Sequence, residues 1–247
     1  MGSLFEKWKK GLKKKVHPFC TAIVPAAGKS SRMGGEDKMF APLCGVPVLA
    51  RTLTVLDQAV MVDEIVVAAQ PEKLEEVAAL VSSAGIRKPV RVVEGGASRA
   101  ESVLLAALEA NEDVEYLAVH DGARPLVLPE QVDDLIRLSQ RTYAVAPAVP
   151  VTDTVKVADL SGLVLSTPDR STLFAVQTPQ VFQANLLKAA LQSAIAAEAP
   201  LTDDCSAVER LGKEVYLTPG WRENIKITTP EDLSVAELFL RRREVQA

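Results

Sequence analysis

The clearest chemistry in this chain lies in Ala22-Ile23-Val24-Pro25-Ala26-Ala27-Gly28-Lys29-Ser30-Ser31-Arg32-Met33-Gly34-Gly35-Glu36-Asp37-Lys38. An apolar run breaks into small residues and glycines, and two cations, Arg32 and Lys38, stand on either side of a Gly-Gly turn. Small side chains let backbone N–H groups approach phosphate oxygens, a helix N-terminus adds a favourable field, and the cations neutralise the remaining charge. That pattern suits a nucleoside triphosphate, although an ordinary strand-to-helix turn with surface charges has the same composition. Gly28-Lys29-Ser30 matches the end of a Walker A loop, but Ile23 stands where that motif needs its first glycine. The phosphates must be held differently.

Three further groups carry candidate chemistry. Gly95-Gly96-Ala97-Ser98-Arg99-Ala100-Glu101-Ser102 would let a planar base lie against backbone; the alternative is a glycine turn with Ser98 as a helix cap. In Val119-His120-Asp121-Gly122-Ala123-Arg124-Pro125 an acid stands at a strand end. It suits Mg²⁺, which keeps most of its waters and takes one or two carboxylates with phosphate oxygens. Arg124 offers a fork matched to a phosphate, the alternative being a buried Asp–Arg pair that only fixes the loop. His120 reads as a packing residue, because nothing nearby resembles a nucleophile for it to activate. The third group is scattered: Thr154, Asp169-Arg170, Thr202-Asp203 and Asn224-Ile225-Lys226. Lys226 falls in an apolar pattern and needs an anionic partner. This inventory, without an activated Ser, Cys or His, suits nucleotidyl transfer, in which the substrate's own phosphate attacks and the protein supplies alignment and charge.

These residues need a frame that brings loop ends together. Apolar, β-branched runs at 64–69, 90–93, 116–120 and 144–148 alternate with helical patterns at 48–58, 71–83, 98–110 and 129–141. The fold class is therefore α/β, a Rossmann-like, mostly parallel twisted sheet flanked by helices, with ligands bound at the strand C-terminal edge. Residues 151–157 and 163–167, around a turn at 159–162, read as a protruding β-hairpin arm at about 150–172. An arm with few partners of its own packs on something else, often a second subunit. Helices follow at 183–197 and from about 202, short strands at 215–217 and 224–227, and a final helix from Pro230 to Arg243. No repeat interrupts this pattern, and residues 18–247 read as a single domain behind a basic tail, 1–17.

Composition narrows the function. The 247 residues are 48% hydrophobic, with a formal charge of −4, yet residues 1–15 hold six lysines and one acid. The remaining 22 basic and 31 acidic residues leave a body at −9, which argues against nucleic acid as a partner. The tail can place Leu4, Phe5, Trp8 and Leu12 on one helix face toward an anionic membrane surface, but Gly11 weakens that helix and a frayed tail is the preferred reading. Three widely spaced cysteines, Cys20, Cys44 and Cys205, form no framework or zinc motif and suit a reducing cytosol, so the localisation is read as cytoplasmic.

The ordered set Pro25-Ala26-Ala27-Gly28, Arg32-Met33-Gly34, Lys38, Gly95-Gly96, 119–125, Thr178-Pro179-Gln180, Thr202-Asp203 and Asn224-Ile225-Lys226 resembles the signature of the 2-C-methyl-D-erythritol 4-phosphate cytidylyltransferases. The resemblance runs from about Thr21 to Leu240 and implies transfer of CMP from CTP to 2-C-methyl-D-erythritol 4-phosphate with release of pyrophosphate, with Mg²⁺, in the non-mevalonate isoprenoid pathway. By position, Arg32 and Lys38 would stabilise charge on the α-phosphate, and Asp121 would ligand the metal. Ala26, Ala27, Gly28, Gly96 and Ser102 would hold the cytidine. Arg124, Thr154, Arg170, Thr202 and Lys226 would position the second substrate, Arg170 and Lys226 also counting as catalytic, with the arm crossing a homodimer interface. The sequence departs from the family pattern at Ser30, Met39 and Ala97, which bears on loop geometry and base choice. A ribitol 5-phosphate cytidylyltransferase is the alternative within the class, and a non-catalytic nucleotide-binding module the alternative outside it.

Overall fold

In the computed structural model, which describes residues 17–28 and 37–246, β1 (Cys20–Pro25) leads through a short hairpin, β2 (Pro42–Leu43) and β3 (Val46–Pro47), to α1 (Val48–Gln58). Next come β4 (Glu64–Ala69), α2 (Leu74–Ser83), β5 (Val90–Glu94), α3 (Arg99–Leu108), β6 (Tyr116–Val119), α4 (Pro129–Thr142) and β7 (Ala144–Pro150). The arm carries β8 (Val157–Ala158) and β9 (Val164–Ser166), after which β10 (Phe174–Val176) and β11 (Gln180–Gln183) return to the sheet. Helices α5 (Ala184–Ala196) and α6 (Asp204–Arg210), then β12 (Tyr216–Pro219) and α7 (Pro230–Gln246), complete the described chain. Residues 1–16, Ser30 and Arg32 lie outside the described residues.

Eight strands form one sheet in the order β10-β7-β11-β6-β1-β4-β5, with β12 beside β7. The four strands β6, β1, β4 and β5 are mutually parallel, whereas β11 and β10 run antiparallel to their neighbours. Strand β11 was not anticipated, because its four residues merge in sequence with the helix that follows. The apolar runs lack alternation because both sheet faces are covered. Ala22 and Val24 of β1, with Ile65 and Val67 of β4, pack on one face against Leu49, Leu53 and Leu56 of α1. Ile23, Val66 and Ala68 point to the other face, among Val103 and Ala106 of α3 and Leu187 and Leu191 of α5.

Polar caps fix the connections. Asp133 of α4, only 5% exposed, accepts from the backbone N–H groups of Val60 and Met61 at 3.2 and 2.8 Å, which pins the turn between α1 and β4. An Asp133→Ala variant leaves both donors without that acceptor and is expected to lose about 2–4 kcal/mol of stability. An unchanged urea midpoint would contradict this account.

Residues 224–227 are not a strand. Ile227 makes one ladder-like bond, donating to Ala123 O at 2.8 Å, but the Asn224 carbonyl accepts from Arg124 Nη1 at 2.6 Å instead. Side chains therefore take the backbone groups that a ladder would use. The arm hairpin forms around the expected turn, where Asp159 Oδ1 accepts from the N–H groups of Ser161 and Leu163 at 2.9 and 3.0 Å and Gly162 sits at φ +88°, but its strands are shorter than expected: residues 151–156 are not strand, and pairing is confined to β8 and β9. Leu160, Leu163, Val164 and Leu165 are all exposed on it. No helix among the described residues is long and apolar enough to cross a membrane.

Candidate active site

Right-handed crossovers place the C-terminal ends of β1, β4, β5 and β6 along one edge. Ala27 and Gly28 follow β1, Gln70 follows β4, Gly95 and Gly96 follow β5, and Asp121 to Ala123 follow β6. Together with Lys38, Met39 and Lys226 they wall a cleft of about 510 Å³. Gln70 Nε2 donates to Ala27 O at 2.9 Å and so ties the first loop to the second strand end.

The loop between β5 and α3 is shaped by the absence of side chains. A Cβ on Gly95 would lie 2.7 Å from Ala27 Cβ, and one on Gly96 would collide with Glu101 Cβ. Ser98 and Glu101 form a capping box that starts α3. Ser102, 2% exposed, donates from Oγ to Ser98 O at 2.8 Å and accepts from Gly96 N–H at 3.1 Å. The helix cap forms, and the glycines of the same loop line the cleft beside it.

The loop after β6 is held from beneath by His120, which is fully buried. Its Nε2 lies 3.0 Å from Arg124 O, an acceptor only, so Nε2 carries the proton and Nδ1 accepts from Thr178 Oγ1 at 3.0 Å. Thr178 Oγ1 in turn accepts from Asp121 N–H at 3.0 Å. Burial pushes the imidazole down to about 4. The unfolded chain therefore binds more protons than the folded one between that value and the ordinary ~6.5, and stability is full above the upper limit and falls as pH drops toward the lower. The loss is expected to reach about 3 kcal/mol. Urea unfolding between these pH values checks it, and His120→Gln should flatten the slope.

Asp121 is the electrostatic centre. Its Oδ2 lies 2.8 Å from Lys226 Nζ and 3.7 Å from Arg124 Nε, while its Oδ1 lies 3.3 Å from Arg99 Nη2. Burial opposes ionisation, but Arg99, Lys226 and Arg124 outweigh it and hold the carboxyl well below the usual carboxylate range. Lys226 has the anionic partner that its sequence context demanded. Burial draws Arg124 below its ordinary value despite Asp121, yet it stays charged at neutral pH.

Of the residues picked from the sequence, Ala27, Gly28, Lys38, Gly96, Ser102, Asp121 and Lys226 line the cleft. Ala26 is buried and donates to Ala68 O at 2.7 Å, and Arg124 backs Asp121. Thr154 and Arg170 are exposed on the arm and Thr202 is exposed beside a neighbouring cavity, so none of the three lines the cleft. Arg32 is outside the described residues. Met39, one of the departures, is buried against Gly122, where a Cβ would lie 3.2 Å from its Sδ. Ala97, another, lines the cleft and donates its N–H to Glu101 Oε2 at 2.7 Å.

Sequence reasoning missed Arg99 and Asp204, which are 105 positions apart and pair at 2.7 Å. An arginine on the first turn of a helix, where the dipole disfavours a cation, was the available signal for the first. Asp204 gave none. Among the described residues no group of three or more His, Cys, Asp or Glu side chains could hold a metal. A Mg²⁺ bound by one ionised carboxylate, waters and phosphate oxygens fits Asp121, whereas a preformed cage does not.

An α/β sheet with a small-residue cradle at its C-terminal edge, beside one carboxylate ringed by cations, defines the class: a nucleotidyltransferase. The chain matches the profile of 2-C-methyl-D-erythritol 4-phosphate cytidylyltransferase over residues 20–242. It belongs to that family. The enzyme of that name from Caldanaerobacter subterraneus is 42% identical over 224 residues, covering 90% of this chain and 99% of the relative. Its counterpart in Symbiobacterium thermophilum is 44% identical over 221 residues, covering 89% and 92%. Among solved structures, the 4-diphosphocytidyl-2C-methyl-D-erythritol synthase of Anaerococcus prevotii superposes with a TM-score of 0.78 at 29% identity, over 91% of this chain and 99% of that one. The Thermus thermophilus enzyme gives 0.73 at 30% identity, over 90% and 99%.

Proposed function

We propose that this chain transfers the CMP group of CTP to 2-C-methyl-D-erythritol 4-phosphate and releases pyrophosphate. The observation that carries the reading is the Asp121 centre, with Arg99, Arg124 and Lys226 around it at the mouth of a backbone cradle. A phosphate oxygen of the acceptor attacks the α-phosphorus, and the bond from that phosphorus to the bridging oxygen of the β-phosphate breaks. The bond electrons leave with pyrophosphate. Ala27, Gly28, Gly96 and Ser102 hold the cytidine, with Ala26 behind them fixing the end of β1, Arg32 and Lys38 stabilise charge at the α-phosphate, and Arg124 and Lys226 orient the acceptor. Asp121 would hold Mg²⁺, which neutralises triphosphate charge when bound. Lys226 and Arg99 keep the carboxylate ionised and turned into the cleft until then.

The reading extends to a homodimer. Four exposed apolar residues of the arm, Leu160, Leu163, Val164 and Leu165, need a cover. Thr154 and Arg170 stand on the same arm, outside the lining of their own chain's cleft, and are read as completing the acceptor pocket of a second copy. Thr202 is read as a more remote support of that pocket. Free Cys20, Cys44 and Cys205 support a cytoplasmic setting. The acidic body supports the absence of nucleic acid among the partners, and a membrane contact by the tail is the less favoured reading. A single domain behind that tail is the reading kept for the chain.

The test is pyrophosphate release from CTP with Mg²⁺ and a panel of polyol phosphates. Release is expected with methylerythritol phosphate and not without an acceptor. No release with that acceptor, together with clear release with ribitol phosphate, would overturn the assignment.

A further inference from the structure

Arg99 occupies a position that local structure disfavours. It is the first residue of α3, at the positive pole, and the Ser98–Glu101 capping box already satisfies that helix end. Its partners lie across the fold: Nη1 donates to Asp204 Oδ2 at 2.7 Å, and Nη2 to Asp121 Oδ1 at 3.3 Å. Asp204 is 1% exposed and its Oδ1 has no hydrogen-bond partner among the described residues; burial raises its carboxyl above the ordinary value, and Arg99 is the cation that opposes this and holds its charge. Asp204 does not line the cleft. It lines a neighbouring cavity, and Arg99 is part of the wall between the two.

We infer that Arg99 is a positioning residue for Asp121 and that Asp204 is the anchor that sets how far it reaches. The guanidinium is planar and rigid. With Nη1 fixed on Asp204, Nη2 meets Oδ1 of Asp121 at the longer distance, while Oδ2 is left to Lys226 at 2.8 Å. A different cation on each oxygen fixes the rotation of the carboxylate. Without Arg99, Asp121 turns toward Lys226 and Arg124, both of which face Oδ2. Without the charge of Asp204, Arg99 closes on Asp121 and covers it. Burial opposes the charge of Arg99, but Asp204 first and Asp121 second raise it above its ordinary value, consistent with the order of the two distances. The inference rests on the proposed reading of Asp121 as the acid that works with Mg²⁺.

The experiment uses the full chain with Arg99→Gln/Asp204→Asn, which replaces the ion pair by a neutral hydrogen-bonded pair and strands no buried charge. The variant is expected to keep its Tm within about 4 °C of the parent. Its kcat is expected to fall about 10–30-fold while the KM for CTP moves less than about threefold. The additional Tm rise that Mg²⁺ brings to the CTP complex should shrink, with the rise from CTP alone retained. Asp121→Asn, run in parallel, should abolish that Mg²⁺-dependent rise. If it does, and the double variant keeps parental kcat and the full rise, the inference is overturned while Asp121 stands. If Asp121→Asn keeps both activity and the rise, both readings fall. Should the double variant not fold, Arg99→Lys decides: it keeps the charge but cannot span two acids, and parental kcat with the full rise overturns the inference.

Discussion

Replacing Asp121 by asparagine is expected to lower turnover by about 10²–10³-fold, the scale on which a lost electrostatic contact to a transferring group is felt. The amide keeps the volume, and the bond from the residue 121 backbone N–H to Thr178 Oγ1 does not involve the side chain, so the loop need not collapse. What disappears is the negative charge between Arg99, Arg124 and Lys226. Those cations then face one another, and stability is expected to fall by about 1–3 kcal/mol, moderated because Arg99 and Lys226 are partly open to solvent. Steady-state kinetics and urea unfolding on the same preparation separate the two losses. Parental turnover in a folded Asp121→Asn protein would remove this carboxylate from the reaction.

The second large effect is expected at Lys38. This residue lines the cleft in the turn after Asp37, whose carboxylate accepts from Met39 N–H at 3.1 Å. Its ammonium is assigned to charge that grows on the α-phosphate as the bond to pyrophosphate breaks. Lys38→Ala is therefore expected to reduce kcat about 100-fold while the KM for CTP changes less than about threefold. A contact made equally in the ground state would give the opposite pattern, weaker CTP binding with turnover retained, and that result would contradict the assignment.

Several readings of single residues changed once the chain was folded. The motif after β5 reads as a base cradle or a helix cap, and in the fold Ser98 and Glu101 cap α3 while Gly95 and Gly96 line the cleft, with Ser102 bonded to both parts of the loop. Lys226 was expected to need an anion, but a strand was expected to carry it. It rides instead on an irregular segment, because the Asn224 amide donates to Thr178 O at 2.9 Å and the Asn224 carbonyl serves Arg124. Thr202 was grouped with the site, yet the neighbouring Asp203 only caps α6 and accepts from Gln180 at 2.8 Å. Motif proximity along the chain did not translate into proximity to the cleft.

The α/β class, the sheet edge at which the cleft opens and the motif stretches that wall most of it were legible in the chain alone. Those conclusions follow from hydrophobic period, glycine placement and the handedness of crossovers, all of which are local or nearly so. Which charges meet emerges only on folding. Asp121 collects cations from positions 99, 124 and 226, and Arg99 is shared with Asp204. Pairing over such separations depends on the side chains that β6, α3, α6 and an irregular late segment bring to one point, and no period in the sequence encodes it. The same holds for the arm: its hairpin is legible in the turn chemistry around Asp159 and Gly162, whereas the exposure of Leu160, Leu163, Val164 and Leu165 emerges only when the rest of the chain has folded without them.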